Sequence, residues 1–267
     1  MCRHLAYLGP PVPLGKLLFD PPHSLVKQSW APQDMRGGGT VNADGFGIGW
    51  YTPDGPVRYR RGTPIWSDTT LPGLTAALSS TAVLAAVRSA TAGMPVTESA
   101  AAPFGEGPWL FSHNGVVTGW PGSVAKLAST TAIDGLLVLE APTDAALLWV
   151  FVRDRLRSGA TPGDALASVV AEVERAAPGS RLNLLLTDGE TIAATTVGHS
   201  LSVRRRAAAP GGEPPLASGH PSSARRAADV VVASEPFDDD PGWQPVPDRT
   251  LLVATATALT TTTLGEP

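Results

Sequence analysis

The chain has 267 residues, of which 43% are hydrophobic and 16% charged, with a formal net charge of -4. That is enough apolar material for one large domain or two small ones, and the acidic balance argues against nucleic acid or an anionic membrane as a partner. A single cysteine excludes an internal disulfide and any cysteine-rich metal site, which fits a reducing cytoplasm.

That cysteine, Cys2, stands directly behind the initiator methionine. Removal of Met1, which a small second side chain permits, leaves one residue with both a thiol and a free α-amine. An unperturbed α-amine titrates at about 7.7–8.0, so nucleophile and base can belong to the same residue. A lone cysteine in a first strand is otherwise an ordinary buried side chain, and the rest of the chain must decide between the two. No apolar run reaches 18 residues and the start lacks the basic-then-apolar pattern of a secretory leader, so a cytoplasmic, non-membrane protein is expected.

In chain order, residues 2–8 read as an apolar strand that Gly9-Pro10-Pro11 should break, because proline cannot donate to a ladder. Pieces at 14–19 and 24–28 predict a helical turn each, and Gly37-Gly38-Gly39 a hinge or close-approach loop. In 42–51 the residues Phe46, Ile48 and Trp50 alternate with glycine. This predicts a strand with one bulky face and one bare face against a close neighbour. A turn at Pro53-Asp54-Gly55 leads to a partner strand at 57–61. Residues 82–87 predict a buried strand delivering Arg88, then a loop at 89–102 closing on Pro103-Phe104. A strand at 109–112 leads into His113-Asn114-Gly115 and on to Val116-Val117.

Helices are predicted over 145–157, with Thr143 or Asp144 as N-cap, and over 162–177, with Pro162 near its start and Gly179 beyond its end. Strands return at 182–186 and 191–197 around Asp188-Gly189, at 201–203, at 230–234 and at 250–254. The stretch 204–228, rich in small residues, proline and arginine without apolar periodicity, reads as a mobile surface insertion, and the chain from 255 as a frayed tail. The pattern predicts one α+β domain over 2–267, with helices layered on antiparallel sheets.

Five features stand in order: Cys2-Arg3-His4, Asp44-Gly45-Phe46-Gly47, Arg88, His113-Asn114-Gly115 and Thr143-Asp144. None is specific alone, since an Asn-Gly pair by itself is more often a turn. As an ordered set, from Cys2 to about Ala254, they resemble the class II glutamine amidotransferases, N-terminal-cysteine hydrolases built as a four-layer αββα sandwich. The resemblance implies Cys2 as nucleophile. It implies the Asn114 side-chain amide and the Gly115 N–H as an oxyanion hole, donors placed where negative charge develops. It also implies Arg88 on the α-carboxylate of a γ-glutamyl group and Asp144 on its α-ammonium.

Two departures accompany it. Arg88-Ser89-Ala90-Thr91 stands where the family usually has Arg-Trp-Ala-Thr, and Ala102-Pro103-Phe104 where many members have a histidine before Pro-Phe. His113 is read as a packing or hydrogen-bonding histidine, and His23, His199 and His220 lack ligand spacing, so neither metal nor cofactor is expected. Phe46, Trp50 and Trp109 lie in motifs beside the site and are read as core packing, although an aromatic face would suit a trimethylammonium group.

The start MCRHLAYLG, Val87-Arg88-Ser89-Ala90-Thr91 and the run from Ala233 to Trp243 (ASEPFDDDPGW) resemble one branch of that family, the γ-glutamyl hydrolases of actinobacterial ergothioneine biosynthesis. The branch implies hydrolysis of γ-glutamyl-hercynylcysteine S-oxide to glutamate and hercynylcysteine S-oxide. No synthase domain follows in this sequence to consume ammonia, so water is the expected acceptor. The alternatives are a glutaminase subunit feeding a separate synthetase, and a catalytically silent binding protein on the same fold. The expected partner is thus a small γ-glutamyl compound.

Overall fold

A computed structural model describes residues 2–35, 41–208 and 228–265. The first half of the chain supplies β1 (Arg3–Pro13), α1 (Gly15–Leu18), α2 (Leu25–Gln28), β2 (Phe46–Thr52), β3 (Gly55–Arg61), α3 (Leu71–Ala77), β4 (Ser79–Val87), β5 (Phe104–Glu106), β6 (Trp109–Val116), α4 (Ala125–Ala128) and α5 (Ile133–Leu137). The second supplies α6 (Asp144–Arg157), α7 (Pro162–Ala176), β7 (Arg181–Thr187), β8 (Ile192–Thr196), β9 (Ser202–Arg206), β10 (Asp229–Ala233), β11 (Trp243–Pro245), β12 (Thr250–Ala254) and β13 (Leu259–Thr263). Among the described residues the strands form two antiparallel sheets, β11-β9-β10-β1-β4-β2-β3 and β13-β12-β8-β7-β6-β5.

Period-2 patterning explains how the sheets stack. Leu5 and Tyr7 of β1, Val83, Ala85 and Val87 of β4, and Val231 and Ala233 of β10 face a core shared with Leu17, Leu18, Leu25 and Leu71 of the short helices. The residues between them, Ala6, Leu8, Ala82, Leu84, Val230 and Val232, pack instead with Leu110, Leu185, Ile192 and Ala194 of the other sheet. That sheet turns Phe111, Leu182, Leu184 and Leu186 outward onto α6 and α7. Strands buried on both faces read as continuous apolar runs. The result is the four-layer αββα sandwich of antiparallel sheets between helices that the resemblance implies.

The bare face of β2 is a close approach. A Cβ on Gly47 would lie 2.2 Å from Ala102 O, and one on Gly49 2.5 Å from Leu110 Cδ1. Phe46 and Ile48 fill the core on the opposite face. The cap of α6 is as predicted, with Thr143 Oγ1 accepting Ala146 N–H; above α7, Thr161 Oγ1 accepts Asp164 N–H, a cap the sequence reading did not name.

Several expectations are corrected. β1 does not end at Gly9-Pro10-Pro11 but runs to Pro13. Its ladder to β10 stops at Leu8↔Val230, and its ladder to β4 shifts register between Leu8 and Val12. The prolines therefore sit where donors are not needed on one side. The insertion expected from 204 starts too early, because Arg204, Arg205 and Arg206 belong to β9 and pair with Val231, Val230 and Asp229. Ion pairs from Arg204 to Asp238 and from Arg206 to Asp240 compensate these polar positions. The tail expected to fray from 255 instead forms β13, a run of threonines paired along β12, where β-branched side chains favour an extended edge strand. Gly37-Gly38-Gly39 and residues 209–227 lie outside the described residues. Among the described residues no helix is long and apolar enough to cross a membrane.

Candidate active site

The site forms where β1 and β4 of one sheet face β6 of the other. The first pair of β1 is Arg3↔Val87, so Cys2 lies beside the residue that leaves β4, Arg88. The Cys2 thiol is 3.7 Å from Ser89 O. Asp44-Gly45 closes this corner: Arg88 N–H donates to Gly45 O at 2.8 Å, Asp44 N–H to Arg88 O at 3.0 Å, and Ala90 N–H to Asp44 Oδ2 at 2.8 Å. Gly45 has φ +129°, and a Cβ there would lie 2.9 Å from Arg61 O, so the motif requires glycine.

Cys2, Arg88, His113, Gly115, Thr143 and Asp144 line one cleft, together with Ser89, Thr91, Met94, Phe104 and Ser112. Arg88 is 9% exposed. Its Nη1 donates to Pro95 O at 2.8 Å, and it has no carboxylate partner among the described residues. Asp144, 6% exposed, uses Oδ1 for Ala145 N–H and Oδ2 for Val117 N–H, at 2.8 and 3.0 Å. Two carboxylate oxygens offer about four lone-pair sites, so it retains capacity for an ammonium. Gly115 pairs with Leu182 of β7, and a Cβ there would sit 1.8 Å from Arg181 O. Cleft and sequence differ at Asn114, which is 2% exposed, lies behind the cleft wall, and has its Nδ2 at 3.3 Å from Ser234 Oγ. Phe46, Trp50 and Trp109 pack in the cores, and the aromatic side chain in the cleft is Phe104.

A polar shell behind the thiol escaped the sequence reading. Arg3, 2% exposed, donates from Nη1 to Cys2 O at 2.9 Å and from Nη2 to Asp34 O, and its Nε is 3.3 Å from Glu235 Oε1. Glu235 Oε2 accepts Gln33 and Asp34 N–H at 2.9 and 2.8 Å. Burial would raise the Glu235 carboxyl, but His23, the Asp34 N–H and the Arg3 charge outweigh it and hold it below the usual carboxylate range. His4 Nδ1 is 3.1 Å from Ser112 Oγ. Burial, with neighbouring His113 and His199, pushes His4 down to about 3, so it is neutral. Burial and Arg181 likewise push His199 down to about 4, which leaves its Nε2 free to accept Arg181 Nε–H at 3.0 Å. His113 Nε2 bonds Arg181 O at 3.0 Å, the hydrogen-bonding role read for it. The one sequence signal for this shell was the Ser234-Glu235-Pro236 stretch that follows a buried strand. Among the described residues no three His, Cys, Asp or Glu side chains group as they would to hold a metal ion.

The family model described as glutamine amidotransferases class-II matches residues 17–266. A curated relative named gamma-glutamyl-hercynylcysteine sulfoxide hydrolase, from Mycolicibacterium smegmatis, is 42% identical over 94% of this chain and 95% of its own length. A relative of the same name from Mycobacterium tuberculosis is 40% identical over 99% of this chain and 97% of its own. Among solved structures, a glutamine aminotransferase class-II domain protein from Silicibacter pomeroyi superposes with a TM-score of 0.64 at 23% identity, covering 99% of this chain and all of that one. The glutamine phosphoribosylpyrophosphate amidotransferase of B. subtilis gives 0.63 at 14% identity over all of this chain and half of its own, a likeness of fold. With the ordered motifs converging on one cleft of the αββα sandwich, the chain belongs to the class II glutamine amidotransferases.

Proposed function

We propose that the chain is an amidohydrolase of ergothioneine biosynthesis that cleaves the γ-glutamyl amide of γ-glutamyl-hercynylcysteine S-oxide, releasing glutamate and hercynylcysteine S-oxide through a thioester on Cys2. The observation that carries it is the cleft itself. One thiol, one buried guanidinium without a carboxylate partner among the described residues, and one helix-start carboxylate share its walls. That set matches a γ-glutamyl group, whose α-carboxylate and α-ammonium lie far from the scissile carbonyl. The two curated relatives described above carry the substrate in their names.

In this reading Met1 is removed and the Cys2 α-amine takes the thiol proton. The thiolate adds to the γ-carbonyl carbon, and the oxyanion that forms is held by Gly115 N–H and the Asn114 amide. Collapse breaks the C–N bond, and the departing amine takes the proton from the α-ammonium. Water, deprotonated by the same amine, then attacks the thioester. The second oxyanion collapses to free glutamate and the regenerated thiol. Arg88 binds the substrate α-carboxylate and Asp144 the α-ammonium. The enzyme works in the cytoplasm on a small molecule, with no cofactor.

The test compares kcat/KM for γ-glutamyl-hercynylcysteine S-oxide, γ-glutamylcysteine and glutamine on one preparation whose intact mass shows Cys2 as first residue. The sulfoxide conjugate should lead clearly. Equal constants for all three would reduce the reading to a general γ-glutamyl amidohydrolase, and glutamine turnover stimulated by a partner would make it a glutaminase subunit. Full activity with Met1 retained would refute the shared thiol-and-amine chemistry.

A further inference from the structure

The nucleophile and the oxyanion strand belong to different sheets, β1 in one and β6 in the other. Ser234, 1% exposed and placed just after β10, joins them. Its N–H donates to His4 O at 2.9 Å, its Oγ accepts His4 N–H at 3.0 Å, and Asn114 Nδ2 lies 3.3 Å from that same Oγ. In this arrangement the hydroxyl accepts twice and, among the described residues, has no acceptor for its own proton, while Asn114 Oδ1 is buried without a partner among them. An unpaired buried acceptor keeps its full desolvation cost. The two ends of an amide fill the same envelope, and hydrogen bonding decides which of them is nitrogen. Exchanging them gives the hydroxyl an acceptor, since His4 N–H then donates to Ser234 Oγ and Ser234 O–H to Asn114 Oδ1, and it turns the amide N–H2 to the unpartnered position, where an oxyanion would be its acceptor. Bonds aligned head to tail in this way polarise one another.

We propose that Ser234 is a positioning residue of the oxyanion hole, which holds Asn114 Oδ1 through its hydroxyl and so presents the amide N–H2 to the tetrahedral intermediate. This rests on the reading of Asn114 as an oxyanion donor. The chain from His4 N–H through Ser234 to Asn114 ties the amide to the strand that carries Cys2, two residues away. The donor and the thiol therefore keep one geometry although their sheets differ. Without the hydroxyl the amide is free to rotate, and its oxygen, which repels an oxyanion, competes for the inward position.

The experiment is a double-mutant cycle. Ser234→Ala should lower kcat about tenfold, short of removing the donor itself, with KM within about twofold, because the donor acts on the transition state. In the Asn114→Ala background the same substitution should cost less than about twofold, since the group it positions is gone. A full tenfold loss in that background would overturn the assignment and leave Ser234 as a support of β1. Asn114→Ala with unchanged kcat would overturn the oxyanion reading and this proposal with it. A second measurement does not depend on the variants folding. In the wild-type enzyme carrying the hemithioacetal formed by Cys2 and a γ-glutamyl semialdehyde, a crystal structure should place one end of the Asn114 amide within about 3 Å of the hemithioacetal oxygen and the other at Ser234 Oγ. An amide bonded to Ser234 but out of reach of that oxygen would overturn the proposal.

Discussion

Gly115→Ala tests how tightly the oxyanion strand is built. An alanine Cβ there would lie 1.8 Å from Arg181 O and 2.6 Å from His113 Nε2, where ordinary contact begins near 3.4 Å. The obstacle at 1.8 Å is a backbone carbonyl in the ladder that pairs Gly115 with Leu182 and Val116 with Arg181, so no side-chain rotation relieves it. β6 and β7 must separate by more than about 1 Å, and overpacking of this kind typically costs about 1–3 kcal/mol. In a chain of this size that lowers Tm by about 2–12 °C, at roughly 2–4 °C per kcal/mol. The same shift displaces Gly115 N–H from the oxyanion, and a misplacement near 1 Å costs about a hundredfold in rate. Melting curves and steady-state kinetics on the γ-glutamyl substrate read both effects. Gly73→Ala is the control: it lies in α3 with open space around a new Cβ, and should gain up to about 1 kcal/mol without touching kcat. A Gly115→Ala enzyme with kcat within about threefold of wild type would refute the placement of the oxyanion hole.

The sheets and the two long helices were legible because their signals are local. Alternation across β2, the buried runs of β4 and β7, the Thr143 cap of α6 and Pro162 at the start of α7 each follow from a few neighbouring residues. The cleft was legible through motif order, which placed Cys2, Arg88, Gly115 and Asp144 together without any view of the sheets. What escaped depends on pairing between distant segments. The prolines of β1 sit beyond Leu8, where the ladder to β10 ends, and Arg204 pairs with Val231 in β10 while its guanidinium meets Asp238. Ser234 and Glu235 belong to a run that marks the branch, but nothing in their neighbours says what they touch. Their meaning comes from His4, Asn114 and Arg3, between 120 and 232 positions away.

Cys2→Ala should abolish turnover while Tm stays within about 3 °C of wild type, since an exchange of this size at a half-buried position removes little packing; residual turnover above background would refute Cys2 as nucleophile. Arg88→Ala should lower kcat/KM by the equivalent of about 2–5 kcal/mol, by analogy with buried charge pairs. Asp144→Asn should do the same while keeping an acceptor for Val117 N–H or Ala145 N–H, and an unchanged kcat/KM in either variant would remove that residue from the glutamyl site. The last prediction concerns acid. His4 falls from 6.5 to about 3 in the folded chain, through burial first and then the neighbouring histidines, and His199 to about 4, through burial and Arg181. A depressed histidine binds its proton more readily when unfolded, so the stability it contributes is fully present above 6.5 and is lost as pH falls from there toward the folded value. Between pH 7 and 5, where most carboxylates are still ionised, His4 alone should remove about 2 kcal/mol, with His199 acting in the same direction. Urea unfolding at pH 8, 7, 6 and 5 measures this directly: the midpoint should hold from 8 to 7 and fall steadily below 6.5. A flat profile down to pH 5 would mean that these histidines accept protons in the folded state, and that the neutral His4 behind Cys2 is wrongly drawn.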